Sequence, residues 1–225
     1  MRRFSSSQEK KDVNLLSETK KSTNFAISYL IYTNVEDFVH LHVHSQYSLL
    51  DGQASIKSMV DKAIGDGMRG MALTDHGNMF GVKELYDYCK KVNKTRIEEG
   101  EEPFKPIFGC EMYVARGGDK SVKEGKENQS GWHLIVLAKN LIGYHNLIKL
   151  VSRSWVDGFY MRPRTDHKDL EKFHEGLIIC SACIGGEVPK KVLSGDIEAA
   201  EKAIKWFHDI WGDKGGGREL RHHLH

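Results

Sequence analysis

The chain has 225 residues, a formal net charge of +2 and four cysteines. Its length suffices for one sizeable α/β domain with its own core, and a net charge so close to zero does not by itself indicate a nucleic-acid-binding protein. The cysteines lack the spacing of a disulfide framework, and we find neither a secretory signal nor an apolar run long enough to span a bilayer. We therefore expect a protein of the reducing cytoplasm rather than a secreted or membrane protein.

The first 34 residues differ in composition from the rest of the chain. They are rich in Ser, Lys and Asn, and the first 24 carry six Lys or Arg against three acidic residues. Hydrophobic periodicity is weak in this segment, which predicts a poorly ordered N-terminal extension at 1–34.

Strand-like and helix-like patterns alternate from residue 35 onward. Residues 40–44 alternate histidine with aliphatic side chains, and this period of two predicts a strand. Buried strands are also predicted at 70–74, 107–114, 132–138 and 177–180. Apolar spacings of three and four predict helices over 56–64, 82–92, 144–155 and 197–211, the last with Asp196 as its N-cap. The alternation predicts a parallel sheet, either open or closed into a barrel.

The histidines of the segment FVHLHVH, residues 38–44, are the first candidate functional residues. On a strand, His40, His42 and His44 would share one face, and imidazole is the commonest metal-binding side chain near neutral pH. A half-buried strand with a polar solvent face is the alternative, but three histidines in such a face are unusual. The pattern favours a metal site.

Further polar residues lie near the ends of the predicted strands. Asp75 and His76 follow the second strand, Glu111 lies on the third, and Cys183 follows the fifth. Active sites of α/β barrels gather at the carboxyl ends of the strands, so these residues are expected near His42 and His44. His133 departs from that rule because it lies near the start of its strand.

Six blocks of the sequence carry a resemblance to a known family. They are HLHVHSQYSLLDG, ALTDHGNMFG, KPIFGCEMYV, HLIVLAKNLIGYHNLIKLVS, GFYMRPR and GLIICSACIGGEVP. In this order and spacing, from about Val35 to about Trp211, they resemble the polymerase and histidinol phosphatase (PHP) domain. More narrowly, they resemble the version that opens the α subunits of bacterial DNA polymerase III. An HxH pair alone occurs in many metal hydrolases, whereas the LLDG, TDHGN and GYxNL blocks together are far more specific.

The resemblance implies a fold and a metal site. The implied fold is of the α/β class, a distorted (β/α)7 barrel. The ligands that it implies for up to three Zn²⁺ or Mn²⁺ ions are His42, His44, Asp51, His76, Glu111, His133 and Cys183. Within this set, His44, Asp51 and His76 would be catalytic, and His40 and Asp75 would orient their neighbours without binding metal. The implied chemistry is that of a metal-dependent 3′–5′ exonuclease or phosphoesterase.

The C-terminal region departs from the family pattern. The family's last metal motif, an Asp-x-His after a later strand, has no counterpart after Trp211, and three glycines occupy 215–217. We therefore expect an incomplete PHP domain at 35–211, a barrel truncated before its last strands and an irregular tail at 212–225. On this interpretation the chain is a fragment that is inactive alone. The full-length protein would be a Mg²⁺-dependent DNA-directed DNA polymerase whose partners are primer-template DNA, a proofreading exonuclease and a sliding clamp.

Several alternatives remain open at the level of sequence. The domain could be a structural module that braces a polymerase and docks a proofreading subunit, or it could be a stand-alone phosphoesterase. Arg162 and Arg164, beside aromatic residues, could contact nucleic acid or belong to a plain surface loop. The spacing of Cys180 and Cys183 matches a redox CxxC motif, but its context does not, so Cys180 is expected to pack at the strand end.

Overall fold

The computed structural model describes residues 38–212 and 220–221. The strands are β1 (Gly70–Leu73), β2 (Lys105–Ala115), β3 (Gly131–Ala138), β4 (Arg164–Thr165), β5 (Leu177–Cys180) and β6 (Leu220–Arg221). The α-helices are α1 (Ile56–Gly65), α2 (Val82–Glu98), α3 (Leu141–Val156), α4 (His167–Lys172), α5 (Glu187–Leu193) and α6 (Ile197–Trp211), and a short 3₁₀ helix covers Lys126–Gln129. No helix in the described ranges is long and apolar enough to cross a membrane.

The sheet is mixed rather than parallel. β1 pairs with β2 in parallel, β3 runs antiparallel to both β2 and β5, and β6 pairs with β5 in parallel. The short strand β4 pairs with β2 in parallel. The predicted α/β class is confirmed, but the prediction of a parallel sheet is wrong. The link from β2 to β3 contains only a loop and a 3₁₀ helix, whereas the crossover between parallel strands usually contains an α-helix.

The histidine-rich segment is extended beside β1 but does not form the predicted strand. The main-chain N–H groups of Ala72 and Thr74 donate to the carbonyls of His40 and Val43, at 2.8 and 2.9 Å. Between these points the chain bends at 41–42, and the N–H of Val43 donates to the side-chain hydroxyl of Thr74 at 2.9 Å. A side chain thus replaces a main-chain partner and interrupts the ladder.

Two apolar clusters hold the helices against the sheet. One joins β1 to α1 and α2 through residues such as Ile56, Leu85 and Phe104. The other joins β2, β3 and β5 to α3 and α6, with Leu147 and Phe207 among its buried members. The four predicted helices are all present, and the Asp196 carboxylate accepts from the Ala199 N–H at 3.0 Å, which confirms the predicted N-cap. The short helices α4 and α5 were not predicted, because six or seven residues carry too little periodicity.

Two predicted segments fall wholly or partly outside the described residues. The extension at 1–34 lies outside them. In the segment predicted as an irregular tail, Leu220 and Arg221 form β6, which pairs with Ile179 and Cys180 of β5. Gly212 is also described, whereas 213–219 and 222–225 lie outside the described residues.

Arg164 is fully buried, so the prediction that it contacts nucleic acid is wrong. Its guanidinium donates to the carbonyls of Gly158, Lys120 and Val122, at 3.1, 2.8 and 3.0 Å. These bonds fasten the loop after β2 to the segment before β4. The sequence did not reveal this because a buried arginine and an exposed one look alike in a loop rich in aromatic residues.

A buried ion cluster lies beside Arg164. Lys120 Nζ is 2.5 Å from Asp169 Oδ2 and 3.5 Å from Asp166 Oδ2, and Arg153 Nε donates to Asp169 Oδ2 at 2.9 Å. Burial alone would raise the pKa of Asp169, but the hydrogen bonds from Arg153 and Lys120 hold it below its usual range. The carboxylate of Asp169 is therefore the shared partner of two cations.

Replacing Asp169 with alanine tests this cluster. Asp169→Ala should lower the free energy of unfolding by about 3–5 kcal/mol, because it leaves the buried ammonium of Lys120 without its closest partner. The measurement is urea denaturation at neutral pH. Because the folded pKa is depressed, the deficit should shrink as the pH falls below the ordinary Asp value of about 4.

The control is Asp87→Ala, which breaks the exposed pair with Lys83 on α2. Exposed pairs of this kind contribute about 0.5 kcal/mol or less. Equal losses for the two variants would contradict the role assigned to Asp169.

Candidate metal centre

The centre forms around Glu111, in the middle of β2. Its carboxylate is almost fully buried, at 1% exposure. His76 follows β1 and pairs with Glu111 in a parallel bridge, while His133 lies near the start of β3. Because β3 is antiparallel to β2, its start lies at the same edge of the sheet as the carboxyl ends of β1 and β2. The antiparallel direction thus accounts for the exceptional position of His133 in the sequence.

Four imidazoles surround the Glu111 carboxylate. Three of them approach Oε2, with His42 Nε2 at 3.3 Å, His44 Nε2 at 2.9 Å and His76 Nδ1 at 3.0 Å. His133 Nδ1 contacts Oε1. The two oxygens of one carboxylate therefore face two different sets of nitrogen donors.

Asp51 and Cys183 extend the set on opposite sides. Asp51 Oδ2 is 2.8 Å from His76 Nε2, and 62% of the Asp51 side chain is exposed, which places it at the rim. Cys183 Sγ is 3.7 Å from His133 Nδ1 and accepts from the Gly185 N–H at 3.4 Å. Cys180 is buried in the core and Cys183 is a free thiol, so neither forms a disulfide.

The seven residues that the sequence predicted as ligands come together in three overlapping groups. These are His42 with His44 and Glu111, His44 with Asp51 and His76, and Glu111 with His133 and Cys183. Within each group the potential ligand atoms lie within 4.8 Å of one another. His44 belongs to two groups and so does Glu111, so the three potential sites are linked by shared ligands.

The hydrogen bonds of Ser48 define which nitrogen of the neutral His44 ring carries the proton. The Ser48 hydroxyl donates to Asp75 Oδ1 at 2.7 Å, because a carboxylate can only accept. Its contact of 2.8 Å with His44 Nδ1 must then be a bond in which the imidazole donates. In the neutral ring, Nε2 therefore carries a lone pair, and that lone pair lies 2.9 Å from the Glu111 oxygen. Two acceptors at this distance repel each other unless a proton or a cation lies between them.

The neutral His76 ring places a second imidazole lone pair close to Glu111. Its Nε2 contacts the Asp51 carboxylate, so in the neutral ring Nδ1 carries the lone pair. That Nδ1 atom is buried, lies 3.0 Å from Glu111 Oε2 and has no hydrogen bond of acceptable geometry. An unpartnered imidazole nitrogen among converging imidazole, carboxylate and thiol side chains fits Zn²⁺ or Mn²⁺.

The close approach of these groups shifts the pKa values of Glu111, His76 and Asp51. Burial alone would raise the pKa of Glu111, but contacts with His133, His42, His44 and His76 lower it far below its usual range. The negatively charged Glu111 carboxylate, 3.0 Å from Nδ1, raises the pKa of His76 against the effect of burial. The bond from His76 likewise lowers the pKa of Asp51. Any cation in the centre therefore meets ionised carboxylates.

Asp75 supports the centre from outside it. Its Oδ1 accepts from the Ser45 N–H at 2.7 Å as well as from Ser48, and its Oδ2 accepts from the Ser45 hydroxyl at 2.8 Å. These contacts support the predicted orienting role of Asp75. His40, for which the same role was predicted, has an exposed side chain and joins none of the three groups among the described residues.

Three residues of the centre were not predicted. Ser45 and Ser48 hold Asp75, and the Tyr113 ring lies 5.3 Å from His133 and 6.2 Å from His76. Burial raises the pKa of Tyr113 to about 12. The position of Ser48 between His44 and Asp51 was a usable signal, whereas nothing in the sequence distinguished Tyr113 from a core aromatic.

Ser48→Ala tests the orientation of His44. Without the Ser48 hydroxyl, Nδ1 loses its acceptor, and the ring can adopt the tautomer that points a proton at the centre. Zn²⁺ affinity, measured by competition with a coloured chelator, should fall by roughly 10- to 100-fold. Ser154→Ala is the control, because Ser154 is also buried but donates to the Val151 carbonyl on α3. Unchanged affinity in Ser48→Ala would show that Ser48 does not position His44.

Comparisons with known proteins identify the family of this chain. The PHP domain family matches residues 40–223. DNA polymerase III subunit alpha of Borreliella burgdorferi is 47% identical over 176 residues, and that of Treponema pallidum is 41% identical over 175 residues. Each match covers 78% of this chain and 14% of the relative, so the chain spans about one seventh of the length of these relatives.

A structural comparison is weaker. A solved structure from Bifidobacterium adolescentis, described as that of a putative metal-dependent phosphoesterase, has a TM-score of 0.41 and 13% identity. The match covers 80% of this chain and 89% of that one, and at this score it carries no argument. The family assignment rests instead on the match over residues 40–223 and on the relatives above: the chain belongs to the PHP domain family.

Proposed function

We propose that the centre around Glu111 is a multinuclear metal site that hydrolyses phosphodiesters at the 3′ end of DNA. The observation that carries this proposal is the convergence of seven donors into three groups that share His44 and Glu111. One isolated group could be a structural site, whereas neighbouring groups that share ligands are typical of multinuclear phosphoesterases.

The donor types favour Zn²⁺ or Mn²⁺ in up to three positions. Imidazole and thiolate suit zinc, and the carboxylates of Asp51 and Glu111 suit either ion. Glu111 offers Oε1 on the side of His133 and Oε2 on the side of His42 and His44. One buried carboxylate can thereby serve two neighbouring positions.

His44, Asp51 and Glu111 have different roles in the proposed reaction. A bound divalent ion supplies Lewis acidity, which polarises a phosphoryl oxygen and acidifies water near neutral pH. The Nδ1–H group of His44 donates to the Ser48 hydroxyl, so the Nε2 lone pair stays directed into the centre. Asp51, exposed at the rim, is placed to orient an incoming phosphodiester and keeps His76 in register through their 2.8 Å contact. Glu111 is almost fully buried and closes the inner side of the centre to water.

The relatives indicate the larger protein in which this domain would act. Both are named DNA polymerase III subunit alpha, and the chain spans 14% of each. We infer that the chain is the PHP domain of such a subunit, active in the cytoplasm on primer-template DNA. Its partners would be a proofreading exonuclease and a sliding clamp, with Mg²⁺ serving a polymerase domain elsewhere in the full-length protein.

Substitution of His44 and Asp51 tests the proposed activity. His44→Ala or Asp51→Asn should reduce Mn²⁺-dependent release of nucleotides from a primer 3′ end by more than about 100-fold, since outer-shell changes alone cost 10- to 100-fold. The assay follows a 5′-labelled primer on gels in a polypeptide extended through an Asp-x-His segment, because this chain alone is expected to be inactive.

His145→Ala is the matched control, because His145 is exposed on α3 and belongs to none of the three groups. Equal degradation by wild type and both site variants would identify a contaminating nuclease and contradict the proposal. An extended wild type that is folded, metal-loaded and inert would instead favour the structural role, in which the domain braces a polymerase.

A further inference from the structure

An exposed aromatic pair lies at the end of α3. Trp155 and Phe159 are 43% and 44% exposed, and their rings stack with centroids 5.5 Å apart and planes at 18°. Met161, which follows in the same loop, is 67% exposed and has a φ of 61°, a left-handed conformation that is uncommon for a non-glycine residue. Together with Val156, four large apolar side chains are thus exposed to solvent within seven residues.

This surface is joined directly to the metal centre. The Trp155 indole donates to the Gly77 carbonyl at 2.7 Å, and the Gly77 N–H donates to the Glu111 carbonyl at 2.8 Å. Pro163 packs so closely on Gly77 that a Cβ there would lie 2.6 Å from its ring. Gly77 follows His76 in the chain, so the aromatic pair and the centre share one rigid connection.

A positive charge lies in the same loop. Arg162 is exposed, and its guanidinium carbon is 5.6 Å from the centroid of the Tyr113 ring. The Tyr113 ring also lies near the imidazoles of His76 and His133, with centroids 6.2 and 5.3 Å away. A guanidinium held over an aromatic ring loses little freedom on binding, and its fork of N–H groups matches the geometry of a phosphate.

We propose that Trp155, Phe159 and Arg162 form a platform for the single-stranded 3′ end of the substrate, with a base stacked on the exposed aromatic pair and a phosphate on Arg162. Binding of single strands without sequence preference combines these two elements, an aromatic face for bases and a cation for the backbone. The platform is continuous with the centre through Gly77 and Tyr113. Because Arg162 supplies charge complementary to a phosphate, a nucleic acid fits this surface better than an apolar protein segment does.

This inference rests on the proposed function for its substrate, so binding is tested separately from cleavage. Fluorescence anisotropy in EDTA measures the affinity of the chain for a labelled (dT)8 strand and for an abasic strand of the same length. Phe159→Ala should weaken binding of (dT)8 by about fivefold or more and leave the abasic strand unaffected, because only the base stack is lost. Arg162→Ala should weaken both strands and reduce the slope of log affinity against log salt by about 0.7, the value for one phosphate on a single strand.

Two controls match these changes. Tyr86→Ala removes an exposed aromatic ring from α2, and Arg116→Ala removes a guanidinium that lies 4.6 Å from the Trp132 ring. Both should bind the two strands as the wild type does. Losses in the controls equal to those in Phe159→Ala and Arg162→Ala would overturn the proposal, and so would platform variants within twofold of wild type or a wild type that does not bind (dT)8.

The outcome for the platform is distinguishable from the outcome for the metal centre. If the platform variants lose affinity as expected while the metal-loaded wild type cleaves nothing, the platform stands and the nuclease proposal fails. If the wild type cleaves primers while the platform variants retain full affinity, the nuclease proposal stands and the platform is wrong.

Discussion

The burial of one carboxylate organises this molecule. Glu111 lies in the middle of β2 with almost no exposure, and an isolated ionised carboxylate in that position would be strongly unfavourable. Four imidazoles from three separate segments surround it. Residues 42–44 arrive beside β1, His76 from the turn after β1, and His133 from the start of β3. The strand order around β2 is therefore also the arrangement that brings these donors together, so fold and site cannot be varied independently.

The same arrangement places imidazole lone pairs against the Glu111 carboxylate, and only positive charge between them can remove the repulsion. His44 and His76 each direct a lone pair toward Glu111 Oε2 in their neutral forms, because their other nitrogens are engaged by Ser48 and Asp51. Protonation of the rings would relieve the repulsion, and so would cations placed between the donors. The neighbouring thiol of Cys183 and the shared use of His44 and Glu111 favour the second solution over several positions.

Local pattern and resemblance predicted the donors better than the path of the chain between them. The histidines at 42 and 44 and the polar residues after buried strands indicated which side chains meet. However, 40–44 does not form the predicted strand, and His40 joins none of the three groups among the described residues. The direction of β3 was not predicted, because a loop of this length does not reveal whether it returns antiparallel. Ser48 lies inside a block that carries the resemblance, but its role depends on its contact with Asp75, which only tertiary structure brings to it. The burial of Arg164 likewise depends on the carbonyls of Gly158, Lys120 and Val122, which tertiary structure alone brings together.

The central claim is that cations occupy the space between these donors, with Glu111 serving more than one of them. Anomalous diffraction at the zinc edge from crystals grown with excess Zn²⁺ tests it most directly. We expect at least two peaks, each bonded to a Glu111 oxygen and to an imidazole nitrogen, at distances of roughly 2.0–2.2 Å. Peaks found only elsewhere on the surface, with the imidazoles still in direct contact with Glu111, would contradict it.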